Sequence, residues 1–163
     1  MYERILVPLD GSVLAEAALP HAEALAHAFH AKLILFQAIK SLDAIIGETL
    51  PWGSLNPEAD KVPVGVSRAK FEEEKAEAET YLTAILDQLK ARSVTAEVQT
   101  GEGDAPEAIL NLVVANDISL VVMSSHGRGG LERLVMGSVA DAVLRSSTVP
   151  VLLIRNRAAT TAP

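Results

Sequence analysis

The chain has 163 residues, of which 49% are hydrophobic and 21% are charged, so it has enough apolar material for a full core and is not a disordered chain. This length corresponds to about one domain. The net charge of −7 argues against nucleic acid or an anionic membrane as the main partner. The absence of cysteine excludes disulfides and thiol catalysis. With no signal-like start and no apolar run of about 18 residues, we expect a cytoplasmic protein that does not enter a membrane.

Five segments have the patterns of β-strands. Four of them are nearly continuous apolar runs, as in strands that are buried on both faces, whereas residues 95–100 alternate and therefore predict an edge strand. The four apolar runs are Ile5–Leu9, Leu33–Phe36, Leu120–Met123 and Val149–Ile154.

Helical patterns separate these strands. Ser12 is the expected N-cap of the first helix, and capping boxes at Asp104 and Ser138 open the last two. Strands that alternate with helices predict a mostly parallel sheet with helices on both faces, an α/β domain over residues 1–155 followed by a disordered tail, 156–163. The predicted helices are Val13–Phe29, Ser67–Ala91, Ala108–Ala115 and Val139–Ser146.

Residues 40–66 form the one long stretch without a clear period, and they contain three prolines and three glycines. Connections of this length are usually functional or disordered. We therefore expect a long flexible loop that serves as a lid or as a surface for a protein partner.

The segment from Ser124 to Ser138 carries the clearest chemical signal. It is rich in glycine and connects the end of a buried strand to the start of a helix, an arrangement that points backbone N–H groups and the positive helix end at an anion. Residues 124–157 carry five arginines against two carboxylates, a local charge of +3 in a chain that is otherwise acidic. The segment predicts a phosphate site.

Two familiar nucleotide motifs are missing. The chain has no G-x-x-x-x-G-K-[ST] and no G-x-G-x-x-G after its first strand, which argues against a P-loop protein and against a dinucleotide site. The first strand ends instead in Pro8-Leu9-Asp10-Gly11-Ser12. Because ligands of open α/β sheets sit at the carboxyl ends of the strands, Asp10 is placed to accept hydrogen bonds from ribose hydroxyls.

Both ends of the chain resemble the universal stress protein family. The resemblance rests on residues 5–12, on Ser125-His126-Gly127, on Gly137-Ser138-Val139-Ala140 and on residues 149–154. The nucleotide-binding branch carries Gly-x-x-Gly, nine residues, then Gly-Ser or Gly-Thr, and Ser124 stands where that motif begins with glycine. The resemblance implies a Rossmann-like open sheet of five parallel strands in the order 3-2-1-4-5, bound ATP, and a homodimer joined through the C-terminal strand, 149–155.

The resemblance also implies roles for individual residues. Asp10 would contact the ribose, Pro8 and Leu9 would line the adenine side, and Ala38 would offer its backbone to the adenine edge. The remaining candidates surround the phosphates, either as the phosphate cradle or beside it. They are Ser124, His126, Gly127, Arg128, Gly137, Ser138 and Val139. ADP or AMP could replace ATP, and Mg²⁺ would enter through the nucleotide phosphates.

Three functions remain open at this point. The leading one is a regulatory ATP sensor in the stress response, with at most slow hydrolysis. The second is a slow ATPase or phosphotransferase, although no catalytic residue can be assigned beyond the possible base His126. The third is a dimeric adaptor that binds no nucleotide and holds an unidentified protein partner through residues 40–66.

Overall fold

A computed structural model describes residues 1–49, 64–126 and 136–155 of the chain. Its centre is a parallel sheet of five strands in the order β3-β2-β1-β4-β5. The sheet confirms the predicted α/β fold and strand order. The strands are β1 (Arg4–Pro8), β2 (Lys32–Ile39), β3 (Ala96–Glu102), β4 (Leu120–Ser124) and β5 (Val151–Ile154).

Helices cover both faces of the sheet. α1, α2 and α4 pack against one face, and α5 and α6 pack against the other. The helices are α1 (Val13–Glu16), α2 (Leu19–Phe29), α3 (Leu42–Thr49), α4 (Val64–Ala91), α5 (Ala105–Ala115) and α6 (Ser138–Ser146). None of the helices in the described ranges is both long and apolar enough to span a bilayer.

The central strands are buried on both faces, as their continuous apolar sequences predict. In β1, Ile5 and Val7 face the helices α1, α2 and α4, while Leu6 faces α5 and α6, and all three are fully buried. The edge strand β3 is half-buried along most of its length. The polarity of each strand therefore follows its position in the sheet.

The predicted single helix over residues 13–29 is wrong, because the structure has two helices there. α1 ends at Glu16, and α2 begins at Leu19 with Pro20 in its first turn. Pro20 has no N–H to donate to Glu16, and its ring would clash with that carbonyl in a continuous helix. In the first turn of a new helix the missing N–H costs nothing, so the chain restarts there.

The prediction of a flexible loop over residues 40–66 is also wrong in part, since α3 occupies 42–49 and α4 begins at Val64. Ser41 Oγ accepts a hydrogen bond from Ala44 N–H at 3.3 Å at the start of α3. Ile45 is fully buried and forms a small cluster with Ile39 and Phe71. One buried side chain is too weak a signal for periodicity to detect. Residues 50–63 and the predicted tail, 156–163, lie outside the described part of the chain.

The capping predictions divide into three outcomes. Ser12 caps α1, and its Oγ accepts a hydrogen bond from Ala15 N–H at 3.2 Å, as predicted. Asp104 is the N-cap of α5 but makes no side-chain cap bond. The prediction that Ser138 caps α6 is wrong, because Gly137 is the N-cap and Ser138 is the first helical residue.

Candidate functional site

The strand order creates a crevice at the carboxyl ends of β1 and β4. These two strands are neighbours, and the chain leaves β1 toward the α1 face and leaves β4 toward the α6 face. The helices that follow these two neighbouring strands therefore lie on opposite faces of the sheet. In open α/β sheets this position is where ligands bind.

The first wall of the crevice is the turn after β1. Leu9 N–H donates to Phe36 C=O at 2.8 Å, which ties the end of β1 to β2. The side chain of Leu9 is buried in the core, so Asp10 is the first polar side chain at this edge. Gly11 has a φ of +80°, a conformation that favours glycine, and it turns the chain back toward α1.

Hydrogen bonds from Ser12 orient the Asp10 carboxylate. Asp10 Oδ1 accepts from Ser12 N–H at 3.0 Å and from Ser12 Oγ–H at 2.6 Å. Both bonds come from two residues away, so the turn itself contributes to holding the carboxylate at the mouth of the crevice. A carboxylate in this place can accept hydrogen bonds from the hydroxyls of a sugar.

Ala38 extends past the end of β1. The β1–β2 pairing ends at Pro8 opposite Phe36, two residues before Ala38. Even-numbered residues of β2 direct their backbone groups toward β1, as shown by the bonds from Lys32 N–H to Glu3 C=O and from Leu9 N–H to Phe36 C=O. By this alternation the N–H and C=O of Ala38 face the space above β1, where they can pair with the edge of a flat ring.

The second wall is the end of β4. Ser124 and Ser125 are buried, and Ser125 N–H donates to Ile154 C=O at 2.9 Å. Ser124 Oγ accepts from His126 N–H at 3.3 Å, and Ser125 Oγ lies 2.9 Å from His126 Nδ1. The two serines therefore hold the backbone and the ring of His126 beside the crevice.

Gly137 lies between the end of β4 and the start of α6 and contacts both. Its N–H donates to Ser125 C=O at 2.8 Å, and a Cβ built on Gly137 would lie 3.2 Å from the same oxygen. The φ of Gly137 is −60°, so space rather than an unusual backbone conformation favours glycine here. This close contact brings the N-terminus of α6 to the end of β4.

The first turn of α6 presents groups suited to an anion. Ser138 is exposed, whereas Val139 is half-buried against the core beneath. The first N–H groups of a helix point toward its N-terminus and favour negative charge. Asp141, one turn along, is paired with Arg145 at 2.9 Å, and the hydrogen bond that Arg145 donates to this carboxylate raises the pKa of Arg145.

The structure places most of the predicted site residues at this one edge of the sheet. Gly127 and Arg128 lie outside the described residues, so their placement stays a prediction. The residues that the structure brings to the edge are Pro8, Leu9, Asp10, Ala38, Ser124, His126, Gly137, Ser138 and Val139. The contacts of Ser12 with Asp10 and of Ser125 with His126 were not predicted. The Asp-x-Ser spacing, which permits a side-chain turn, was the available signal for the first of them.

Comparison with known proteins gives the same fold and one family. The chain matches the profile of the universal stress protein family over residues 1–155. It is 26% identical over 162 residues to universal stress protein MJ0577 of Methanocaldococcus jannaschii, covering 96% of this chain and 97% of that protein. It is 29% identical over 155 residues to universal stress protein YxiE of Bacillus subtilis, covering 95% of this chain and 100% of the relative.

Solved structures of the family superpose on this fold. MJ0577 matches with a TM-score of 0.79 at 24% identity, covering 96% of this chain and 98% of that one. A family protein from Arabidopsis thaliana, solved with AMP bound, matches with a TM-score of 0.64 at 17% identity, covering 96% and 93%. One from Archaeoglobus fulgidus, in complex with dAMP, matches with a TM-score of 0.62 at 18% identity, covering 94% and 98%. The family profile spans almost the whole chain, and the protein therefore belongs to the universal stress protein family.

Proposed function

We propose that this protein is an ATP-binding regulator whose nucleotide occupies the crevice between β1 and β4. The observation that carries the proposal is the convergence of three different groups at one edge of the sheet. The Asp10 carboxylate suits a ribose, the Ala38 backbone suits the edge of a base, and the N-terminus of α6 behind Gly137 suits phosphates. These groups face one crevice because of the strand order alone.

Family members with AMP and dAMP bound support a nucleotide of this class. We propose ATP because the resemblance assigns Gly127 and Arg128 to the phosphates, and with the start of α6 they would supply anion-binding groups for more than one phosphate. ADP and AMP are the competing ligands. Mg²⁺ would be held by phosphate oxygens and water, as this ion prefers.

We expect any hydrolysis to be slow. Phosphoryl transfer needs a positioned nucleophile and dense positive charge around the terminal phosphate. At the described edge of the crevice, His126 is the candidate base, and its Nδ1 is engaged with Ser125. A turnover above about 1 s⁻¹, the low end for ordinary enzymes, would instead favour the enzyme hypothesis.

Calorimetric titration with ATP and Mg²⁺ tests the site. We expect saturable binding with a dissociation constant near or below about 100 µM, or roughly −5.5 kcal/mol. Gly137→Val should abolish it, because the new side chain would meet the carbonyl of Ser125 and push α6 away from the crevice. Gly47→Ala is the control, since a Cβ at Gly47 has no neighbour within 4 Å.

Two results would contradict the proposal. Absence of saturation up to millimolar ATP in the unaltered protein would leave the adaptor hypothesis as the leading one. Equal affinity in the unaltered protein and in Gly137→Val would place the nucleotide somewhere other than the crevice. A folding check by circular dichroism on each variant separates loss of the site from loss of the protein.

We further propose that two chains pair through the outer edge of β5. Pro150 C=O and Ile154 C=O bond to β4, so even-numbered residues of this strand face inward and the backbone groups of Val151 and Leu153 face outward. The strand is apolar, and Leu152 is 38% exposed. An apolar edge of this kind invites pairing, whereas the opposite edge, β3, carries the charged residue Glu97.

Matched proline substitutions on the two edges test the dimer. Val151→Pro removes an outward N–H without touching the bonds to β4, and it should convert a micromolar dimer into a monomer. Val98→Pro removes the equivalent outward N–H from β3, where odd-numbered residues bond to β2, and it should leave the dimer intact. Analytical ultracentrifugation measures the oligomeric state of both variants. A monomeric unaltered protein at tens of micromolar would overturn the proposal.

A further inference from the structure

Ser12 makes hydrogen bonds on two sides: one caps α1, and the others go to Asp10. Its Oγ accepts a hydrogen bond from Ala15 N–H at 3.2 Å, and its own N–H and Oγ–H both reach Asp10 Oδ1. We propose that Ser12 is a positioning residue that sets the orientation of the Asp10 carboxylate for ribose hydroxyls. This inference rests on the proposed nucleotide site.

The count of hydrogen atoms fixes the direction of the bonds. A hydroxyl has one hydrogen to donate and two lone pairs, and an ionised carboxylate only accepts. Ala15 N–H occupies a lone pair of Ser12 Oγ, so the hydroxyl hydrogen belongs in the bond to Asp10 Oδ1. The distance of 2.6 Å is that of a hydroxyl donating to a charged acceptor.

Two donors on one residue hold one carboxylate oxygen, so rotation of the Asp10 side chain is restricted. Gly11 makes this possible, because its φ of +80° folds Ser12 back beneath Asp10. A carboxylate offers about four acceptor positions, and the two bonds from Ser12 occupy two of them. A group that is already oriented loses less conformational freedom when a ligand binds, so the ligand binds more tightly. Only ligands that carry the ribose hydroxyl gain this affinity, because only they bond to Asp10.

The experiment compares affinity for ATP with affinity for 2′-deoxy-ATP and 3′-deoxy-ATP in three proteins. The unaltered protein should prefer ATP over at least one deoxy form by about tenfold, the contribution of a hydrogen bond to a charged group. Ser12→Gly should reduce this preference to less than about threefold, while glycine still serves as an adequate N-cap. Ser12→Thr keeps the hydroxyl and should restore the preference.

A merely structural role for Ser12 would lower affinity for all three nucleotides equally and leave their ratio unchanged. That result in a folded Ser12→Gly protein overturns the inference while the nucleotide site stands. Equal binding of ATP and both deoxy forms by the unaltered protein also overturns it, because Asp10 then does not bind the ribose hydroxyls. Absence of ATP binding in the unaltered protein overturns the proposed function and this inference together, so the two failures are distinguishable.

Discussion

The two ends of the sheet use their polar side chains differently. At the amino end, Ser119 Oγ accepts from Glu3 N–H at 3.0 Å and donates to Arg4 C=O at 2.9 Å, although about 115 residues separate the partners. The Glu97 carboxylate on β3 pairs with Arg4 on β1 and with Lys32 on β2. These contacts join strands to one another and are part of the fold itself.

At the carboxyl end, in the part of the chain that the structure describes, several side-chain bonds come from within two residues. Ser12 orients Asp10, and Ser124 and Ser125 orient His126. Local bonds of this kind orient a group through its own turn. Polar residues at the amino end stabilise the sheet, and the local bonds at the carboxyl end support the proposal that its polar residues serve a ligand.

The largest expected effect is at the carboxyl end. Asp10→Ala should weaken ATP binding by about tenfold to a hundredfold, because a hydrogen bond to a charged group is lost. The core beneath is unaffected, so the free energy of unfolding should fall by no more than about 1 kcal/mol. Titration and urea denaturation measure the two quantities. Unchanged affinity would contradict the assignment of this end to a ligand.

Glu97→Gln, at the amino end, should lower the stability of the protein and leave ATP affinity almost unchanged. The carboxylate is about one-third exposed and serves two cations, so its loss should lower the free energy of unfolding by about 1 kcal/mol. ATP affinity should stay within about twofold, since the change is at the far edge of the sheet. A clear loss of affinity in this variant would show that the two ends are coupled.

The smallest expected effect concerns the exposed Lys40–Glu48 pair, which joins the end of β2 to the end of α3 at 2.7 Å. The hydrogen bond from Lys40 lowers the pKa of Glu48 below its ordinary value of 4.5, and the hydrogen bond to Glu48 raises the pKa of Lys40 above 10.5. The contribution of Glu48 is present above pH 4.5 and is lost as the pH falls through its lowered pKa.

Glu48→Gln should therefore be slightly less stable than the unaltered protein at neutral pH, and the two should converge in acid. Thermal unfolding between pH 3 and pH 8 measures the difference. The contribution of Lys40 disappears instead as the pH rises through its raised pKa, so the gap should also close in strong base. A gap that persisted at pH 3 would rule out the ion pair as its cause.

Local chemistry was sufficient to locate most elements of this protein. Continuous apolar runs marked the buried strands, and one alternating run marked the edge strand β3, because burial on two faces or one face leaves a direct trace in the sequence. Ser12 was identifiable as an N-cap for a similar reason, since capping depends on adjacent residues. The strand order came from the resemblance to a family rather than from any pattern in the residues.

Contacts between distant segments decided the rest. Helix α3 is stabilised by the packing of Ile45 against Phe71, which is distant in the sequence. Gly137 rather than Ser138 is the N-cap of α6, because the Ser125 carbonyl lies against Gly137. Sequence patterns report what neighbouring residues can do, whereas these outcomes depend on what lies nearby only after the sheet has formed. The crevice itself is of this second kind, because it exists only where the strand order brings β1 beside β4.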